Sequence, residues 1–547
     1  MDKIILLLLL FWFYFVIKRS KFFLHILQLE GYEEKRYIAR LKKSKKAYSY
    51  RLKKSLLLLT IALVLYGISA NIINDLKQLL IVRSVYYFIW ISCFVVTLTI
   101  RPEKSKKPLV FTNRAKRLFL THGILNLIIF LAIFIFYTLY YEFNYEYAPL
   151  VLYSYFLIYY FQSYVLYISN LIIKPLEKSI NKYYYQKAQK KISSMKRLQV
   201  VGITGSFGKT STKFITSTIL KQRYRVLNTP ESYNTPMGLS KVINEKLDEK
   251  HQVFVAEMGA RNIGDIRELC KLTKPTIGVI TSIGPTHLET FKNIDNIMKT
   301  KYELIEELPP EGIAIFNYDN KYLKKLADKT FKEKILFGMN DVEKLDLYAE
   351  NIQVTDEGSI FTIRDKQGNS IQCKTKLLGK HNIYNILAGV SVAIALGLNL
   401  EEIKKGIEKI EPIPHRLSLI NPGTGITIID DSFNSNPIGA KAALEVLQQF
   451  QGGRKIIVTP GMVELGNKEK EANKEFGMSI AKVCDYVILV GKSITDSIYE
   501  GLMEARYNDE NVFIVDSLDE ATSIIQQIAK PKDVILFEND LPDNYYV

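Results

Sequence analysis

The chain has 547 residues, a formal net charge of +17 and four cysteines. Cys93, Cys270, Cys373 and Cys484 lie far apart with no C-x-x-C spacing, which excludes a disulfide framework or a thiolate zinc site as the organising device. The positive charge sits mainly between long apolar runs near the N-terminus, a membrane pattern rather than a nucleic-acid one.

Five apolar runs come first, at 4–17, 56–73, 84–100, 118–140 and 148–173. The last four have the length that spans a bilayer, roughly 17–25 residues. The first is shorter and is followed by "KRSKFF" rather than by a small-residue cleavage site, so it reads as an anchor or first span. The loops set an orientation. Residues 18–54 carry 13 Lys/Arg, 101–117 carry seven and 174–197 carry eight. The loop 74–83 has only Lys77 and Arg83, and 141–147 has no basic residue. By the positive-inside rule the rich loops are cytoplasmic, and everything after 174 lies inside. The expected localisation is the plasma membrane, multi-pass, with the soluble part in the cytoplasm. The basic run "KRYIARLKKSKKAYSYRLKK" is explained by proximity to anionic lipid.

From Arg197 the texture changes. β-branched runs alternate with helical patterns: "QVVGIT" then "KTSTKFITSTIL", "VFVAEM" then "IGDIRELCKL", "IGVITSI" then "IDNIMKTKYELIEEL". That rhythm predicts a parallel sheet with helices on both faces. A strand-rich patch follows at about 346–378, then the helix "NIYNILAGVSVAIALGL". A second βα series starts near His415. The predicted organisation is a transmembrane domain of about five spans at 1–175, a basic cytoplasmic linker at 176–197, and two α/β domains at 198–414 and 415–547.

The stretch "GITGSFGKTS", 202–211, falls after a strand and before a helix, where a phosphate loop belongs. Gly202, Gly205 and Gly208 allow backbone N–H groups to turn toward an anion, and the helix from Lys209 points its positive end the same way. Lys209 can neutralise β- and γ-phosphates, and the Thr210 hydroxyl can ligate Mg²⁺. Glu257 closes the strand "VFVAEM", facing the ligand crevice as a plausible Mg²⁺ ligand. His287 follows another strand, and Lys301 lies on a helix. Singly, these three would be ordinary residues.

Together, "GITGSFGKTS", "VAEMGARNIGDI", "TSIGPTHLE", "KTKYE", "LLGKHNIYNILAG", "HRL", "IIDDSFNSNP" and "GMVELG" resemble the Mur ligases in order and spacing, over about 198–540. Within that family they are most similar to the branch that adds D-alanyl-D-alanine. The family loop G-x-x-G-x-x-G-K-[ST] accounts for the isoleucine at 203, where the strict P-loop spacing would want glycine. The resemblance implies a central P-loop ATPase domain, a Rossmann-like C-terminal domain and an ATP-dependent ligation. A carboxylate becomes an acyl phosphate, an amine attacks it, and an amide and phosphate leave. It also implies roles by matched position. Gly205, Ser206, Phe207, Gly208, Lys209, Thr210 and Ser211 would hold ATP, with Asn385, Arg416 and Asp431. Thr210 and Glu257 would hold one Mg²⁺. Lys301, carbamylated by CO₂, would support a second beside His287. Lys209, Lys301 and His287 would be the catalytic group, and Asn434 and Asn436 would help place the acceptor. The implied partners are a cell-wall precursor and an amino acid or dipeptide carrying the amine.

Two departures from the family bear on the substrate. The membrane region runs straight into the ATPase domain, with no small domain to grip UDP, which points to a lipid-linked precursor. The family's Lys-Gly-Ser stretch is replaced by "DVILFENDLPDNYYV", whose acids are expected to repel a carboxylate. Alternative readings are a poly-γ-glutamate-type or other non-peptidoglycan amide ligase, and a membrane sensor or transporter with an ATP-binding module.

Overall fold

A computed structural model describes residues 2–43, 50–73, 75–98, 108–142, 144–355, 358–433 and 435–540. Asn434, the basic segments 44–49 and 101–107, and the terminal stretch 541–547 fall outside the described residues. The chain forms two compact units that meet in sequence between Ile180 and Asn181.

The first unit is helical. Its elements are α1 (Asp2–Leu29), α2 (Glu34–Lys43), α3 (Tyr50–Ile72), α4 (Leu76–Leu98), α5 (Asn113–Tyr141), α6 (Ala148–Tyr160) and the first part of α7 (Gln162–Ser194). Among the described residues, α3, α4 and α5 are long and apolar enough to cross a membrane. The run 148–173, expected as one span, is two helices bent by 65° at Phe161, a fourth crossing only as a broken span. The apolar stretch of α1 covers only about 21 Å at 1.5 Å per residue, short of a ~30 Å hydrocarbon core. The residues 176–197, expected as a linker, are helical as far as Ser194, where α7 ends.

This unit has an aromatic interior of Trp12, Phe15, Trp90, Phe94, Tyr155, Phe156 and Tyr159. The indole N–H groups of Trp12 and Trp90 donate to the carbonyls of Tyr155 and Leu152 at 2.7 and 2.8 Å, which satisfies the polar edge of each buried ring. The outward faces are apolar instead of charged: Leu57, Val64, Leu65, Ile72, Phe88, Leu120, Ile128 and Leu139 are all more than half exposed.

The second unit holds two sheets. In the first, β1 (Gln199–Thr204), β2 (Val226–Asn228), β3 (Val253–Glu257), β4 (Ile277–Ile280), β5 (Ile313–Asn317) and β6 (Lys334–Gly338) are parallel, and β7 (Leu347–Thr355), β8 (Gly358–Asp365) and β9 (Ser370–Thr375) extend the edge, with β8 antiparallel to both its neighbours. The order is β2-β3-β1-β4-β5-β6-β7-β8-β9. Its helices are α8 (Lys209–Leu220), α9 (Pro236–Lys246), α10 (Asp265–Thr273), α11 (Leu288–Phe291), α12 (Ile294–Glu306), α13 (Lys321–Asp328), α14 (Lys380–Ala395) and α15 (Leu400–Glu408). Separate apolar cores lie on the two faces, one under α10 and α12 and one under α8 and α14. That is why the central strands read as unbroken apolar runs.

The second sheet has order β10-β11-β15-β12-β13-β14, from β10 (Ser418–Ile420), β11 (Thr427–Asp431), β12 (Lys455–Thr459), β13 (Tyr486–Val490), β14 (Val512–Val515) and β15 (Val534–Glu538). Only β10 is antiparallel. Helices α16 (Pro437–Gln449), α17 (Glu469–Ile480), α18 (Lys492–Glu504) and α19 (Leu518–Ile528) complete this domain.

Strand order places the site. The chain leaves β1 toward β2 and β3 on one side and continues with β4 on the other. That reversal opens a crevice at the carboxyl ends of β1, β3 and β4, where ligands bind in open α/β sheets.

Candidate active site

The loop 205–208 follows β1, and Gly208 caps α8 with φ +79. A Cβ on Gly208 would stand 2.6 Å from Asn385 Oδ1, and one on Gly205 would stand 2.1 Å from Thr281 Oγ1. These two positions admit only glycine. Gly202 has a different job. It lies inside β1 opposite Ala256 and Gly278, and its bare face accommodates Leu304 and Met258. It serves packing and does not turn an N–H toward an anion.

The loop is stitched to the end of β4. Ser206 N–H donates to the Ser282 carbonyl at 2.8 Å, Thr281 Oγ1 to the Phe207 carbonyl at 2.6 Å, and Ser206 Oγ to the Gly284 carbonyl at 2.9 Å. The first-turn N–H groups of α8, at Lys209, Thr210 and Ser211, have no intrahelical partner and open into the adjoining pocket. Lys209 Nζ folds back on the carbonyls of Gly205 and Ser206, at 2.9 and 3.3 Å. Burial holds its pKa below the usual lysine range. A cation over unpaired helix N–H groups is a cradle shaped for phosphate.

A cleft of about 400 Å³ continues from this cradle, and Lys209, Thr210, Glu257, His287 and Lys301 all line it. The sequence-predicted residues therefore converge. Glu257 ends β3 and is 1% exposed. Its carboxylate accepts from Lys213 Nζ at 3.1 Å and from Asn234 Nδ2 at 3.0 Å. Neither partner stood out in the sequence. Lys213 is one turn beyond Lys209 on α8 and fully buried, where helical spacing alone suggests a solvated lysine. Its ammonium also donates to the Glu231 carbonyl.

Lys301 is 3% exposed because it shares the core face of α12 with Ile297, Leu304 and Ile305. Burial, and then the charge of Lys209, push its pKa down to about 7. Near neutrality a large fraction of it is a free amine, the form that reacts with CO₂. His287, with φ +50, caps α11, and its Nδ1–H meets Glu464 Oε2 of the second domain at 2.5 Å.

Among the described residues no group of three or more His, Cys, Asp and Glu could hold a metal ion. The hard oxygens of Thr210 and Glu257 nevertheless flank the phosphate cradle. They fit Mg²⁺, which takes one or two protein oxygens and completes its shell with phosphates and water.

The second domain closes a neighbouring pocket, lined by Gly208, His381, Tyr384, Asn385, Arg416, Asp431 and Asn436 among others. Asn385 is held by Thr212 and Asn382, each at 3.2 Å. Arg416 stacks on Phe433, 4.3 Å from its ring, and lines both pockets as a wall between them. Asp431 accepts the Leu417 N–H at 3.2 Å, and burial raises its pKa to about 6 despite Arg416. Burial also holds His381 down to about 4, a neutral ring. Asn436 caps α16 through the N–H groups of Ile438 and Gly439. Sequence reasoning missed His381, Tyr384 and Phe433, although the first two stand inside the quoted "LLGKHNIYNILAG" and Phe433 in "DDSFNSNP".

Of the acids in "DVILFENDLPDNYYV", Asp533 and Glu538 are buried and do not stand open to an incoming carboxylate, whereas Asp540 is exposed. Glu538 is 0% exposed and bonded to Ser435 Oγ and Thr459 Oγ1. Burial raises its pKa to about 8, so it is largely neutral.

Comparison with known proteins agrees with this geometry. Residues 203–393 match the Mur ligase middle domain and 415–538 the Mur ligase glutamate ligase domain. The UDP-N-acetylmuramoyl-tripeptide--D-alanyl-D-alanine ligase of Buchnera aphidicola (subspecies Baizongia pistaciae) is 34% identical over 281 residues, 51% of this chain and 60% of that protein. The Bacillus subtilis ligase of the same name is 30% identical over 342 residues, 62% of this chain and 72% of that protein. The chain thus spans less than two thirds of the first relative's length. The crystal structure of MurF ligase from Thermotoga maritima in complex with ADP superposes with a TM-score of 0.59 at 26% identity, covering 66% of this chain and 80% of that one. The phosphate cradle, the lysine-lined cleft and the two matched domains make this chain a member of the Mur ligase family.

Proposed function

We propose that the protein is an ATP-dependent peptide ligase of peptidoglycan precursor synthesis, joining a precursor carboxylate to the amine of an amino acid or dipeptide. The observation that carries this reading is the meeting of Lys209, Thr210, Glu257, His287 and Lys301 in one cleft, with Arg416 of the second domain against it. The relatives named for D-alanyl-D-alanine addition support that dipeptide as the amine.

The cradle at 205–211 binds the phosphates of ATP through the N–H groups of α8 and through Lys209. Asn385, Arg416 and Asp431 border the nucleotide pocket. Thr210 and Glu257 are the residues to hold Mg²⁺, which when bound offsets charge on the transferring phosphoryl group. Lys213 and Asn234 hold the Glu257 carboxylate in place by hydrogen bonds to its two oxygens. Lys301, a large fraction of it free amine near pH 7, is the residue to carry a CO₂-derived carbamate, which would turn a buried amine into an oxygen ligand. Arg416 and Lys209 stabilise charge that builds on the tetrahedral oxygens as the amine attacks. Asn436 lines the nucleotide pocket, and its side chain is fixed by its own capping bonds. Contact between the two domains over the cleft keeps water from the acyl phosphate.

The helical unit anchors this ligase in the plasma membrane with the ligase domains in the cytoplasm, and the acceptor is lipid-linked. Support comes from the apolar outward faces of α3, α4 and α5 and from the alternation of basic and non-basic loops. Purified protein in lipid is to be offered UDP-linked and lipid-linked muropeptides with D-alanyl-D-alanine. Faster ligation of the lipid-linked form supports the reading. Equal rates overturn the lipid-linked acceptor, and ATP binding without ligation of either overturns the ligase. Cysteines placed in 141–147 should react with an impermeant thiol reagent on whole cells. Labelling only after permeabilisation contradicts the orientation.

A further inference from the structure

The "GMVELG" turn of the second domain reaches across to the first. Glu464 Oε2 accepts from His287 Nδ1 at 2.5 Å, and its other oxygen lies 3.6 Å from Arg261 Nη2. His287 and Arg261 both line the cleft that holds Lys301. Glu464 is therefore the carboxylate by which the second domain touches two cleft residues of the first.

The turn is built to present it. Glu464 has φ +64 and His287 has φ +50, a backbone region that side-chain-bearing residues rarely adopt. Asn473 pins the turn from both directions, accepting the Met462 N–H and donating to the Met462 carbonyl, each at 2.9 Å. Asn539 Nδ2 holds the Gly461 carbonyl at 2.5 Å, and Glu469 Oε2 takes the Leu465 N–H. On the other side, a Cβ on Gly466 would come to 3.6 Å from the Glu289 nitrogen, so the turn rests directly on α11. Strain persists where the surroundings over-determine it, and such places cluster at functional sites.

We propose that Glu464 is a positioning residue that makes ligation conditional on domain closure. Accepting from Nδ1 fixes the His287 tautomer and turns Nε2 away from the second domain, while the other oxygen draws Arg261 to the cleft mouth. When the domains part, both groups lose their partner and the cleft is disordered. Glu464 does not line the phosphate cradle or the pocket that holds Asn385, so it governs the reacting geometry and leaves nucleotide affinity alone. The inference rests on the ligase reading for its catalytic arm only.

The test uses the full chain in lipid, as wild type and as Glu464→Ala, Glu464→Gln and Glu464→Asp. Phosphate release is followed with ATP, Mg²⁺, muramoyl-tripeptide and D-alanyl-D-alanine. Closure is followed separately, by energy transfer between dyes on the two α/β domains upon addition of a non-hydrolysable ATP analogue. The expected result is a kcat loss on the order of 10²-fold in Glu464→Ala, with KM for ATP changed less than about threefold. Partial recovery in Glu464→Asp and a smaller closed population in Glu464→Ala should accompany it. The isosteric Glu464→Gln guards against misfolding, and it should close while ligating slowly. A kcat within twofold of wild type, or parallel losses in kcat and KM for ATP, overturns the proposal. If none of these substrates is ligated by wild type, the closure signal decides alone. Equal closure of Glu464→Ala and wild type then overturns the latch, whereas unequal closure sustains it and faults only the choice of substrate.

Discussion

Replacing Lys213 with methionine removes one half of a fully buried ion pair while roughly keeping the side chain's volume. Lys213 is 0% and Glu257 1% exposed, and their 3.1 Å contact is accompanied by the Lys213 bond to the Glu231 carbonyl. The variant leaves Glu257 with Asn234 as its remaining bonded partner and a buried charge without its paired cation, Lys209 and Arg416 acting on it only through space. Breaking a buried pair from one side costs about 3–5 kcal/mol, a large share of the ~5–15 kcal/mol that holds a domain together. For a body of this size that corresponds to a melting point lower by roughly 5–10 °C. The assay is thermal unfolding without nucleotide, alongside Glu257→Gln and the double variant. Removing both charges should restore at least half of the loss, since paired replacement is nearly neutral where single replacement is not. A Lys213→Met melting point within about 2 °C of wild type would rule out an isolated buried pair and mean that water or another cation reaches Glu257.

Lys301 has a folded pKa of about 7 against 10.5 for an exposed lysine. The unfolded chain thus holds one more proton between those values, and in CO₂-free buffer stability rises with pH through that window, by at most about 5 kcal/mol. Lys301→Met should flatten the slope and abolish ligation while nucleotide still binds, read by denaturant titration at several pH values and by nucleotide fluorescence. Glu538, raised to about 8, does the reverse. The folded chain holds the extra proton between about 4.5 and 8, so stability falls as pH rises through that window, and Glu538→Gln should match wild type near pH 4 and exceed it increasingly up to about pH 8 in melts. Gly208→Ala puts a Cβ 2.6 Å from Asn385 Oδ1 at φ +79. ATP affinity should fall by about two orders of magnitude, or about 3 kcal/mol, by calorimetry.

Much of the active site was legible because its residues fall at strand ends. Lys209, Glu257 and His287 follow β1, β3 and β4, and adjacent parallel strands bring such positions together whatever the loops between them. Lys213 was hidden for the opposite reason. On α8 it looks like the solvated face of an amphipathic helix, and only packing beneath β3 reveals a buried charge. Glu464 stood inside a recognised motif, yet its partner lies 177 residues away in another domain, a separation no local pattern encodes. The break at Phe161 was equally silent, since an unbroken apolar run records hydrophobicity and not direction. Gly202 was assigned to the anion cradle because glycine spacing does not distinguish a turn from a strand face packed against Leu304.

The proposed activity is ATP-driven amide formation. Incubating the full chain with ATP, Mg²⁺, a muramoyl-tripeptide precursor and D-alanyl-D-alanine, and reading the products by mass spectrometry, tests it directly. The expected product equals in mass the two substrates less one water, with one phosphate released per amide and none when Lys301 is replaced by alanine. ATP hydrolysis without that product, or product formation that persists in Lys301→Ala, would contradict it.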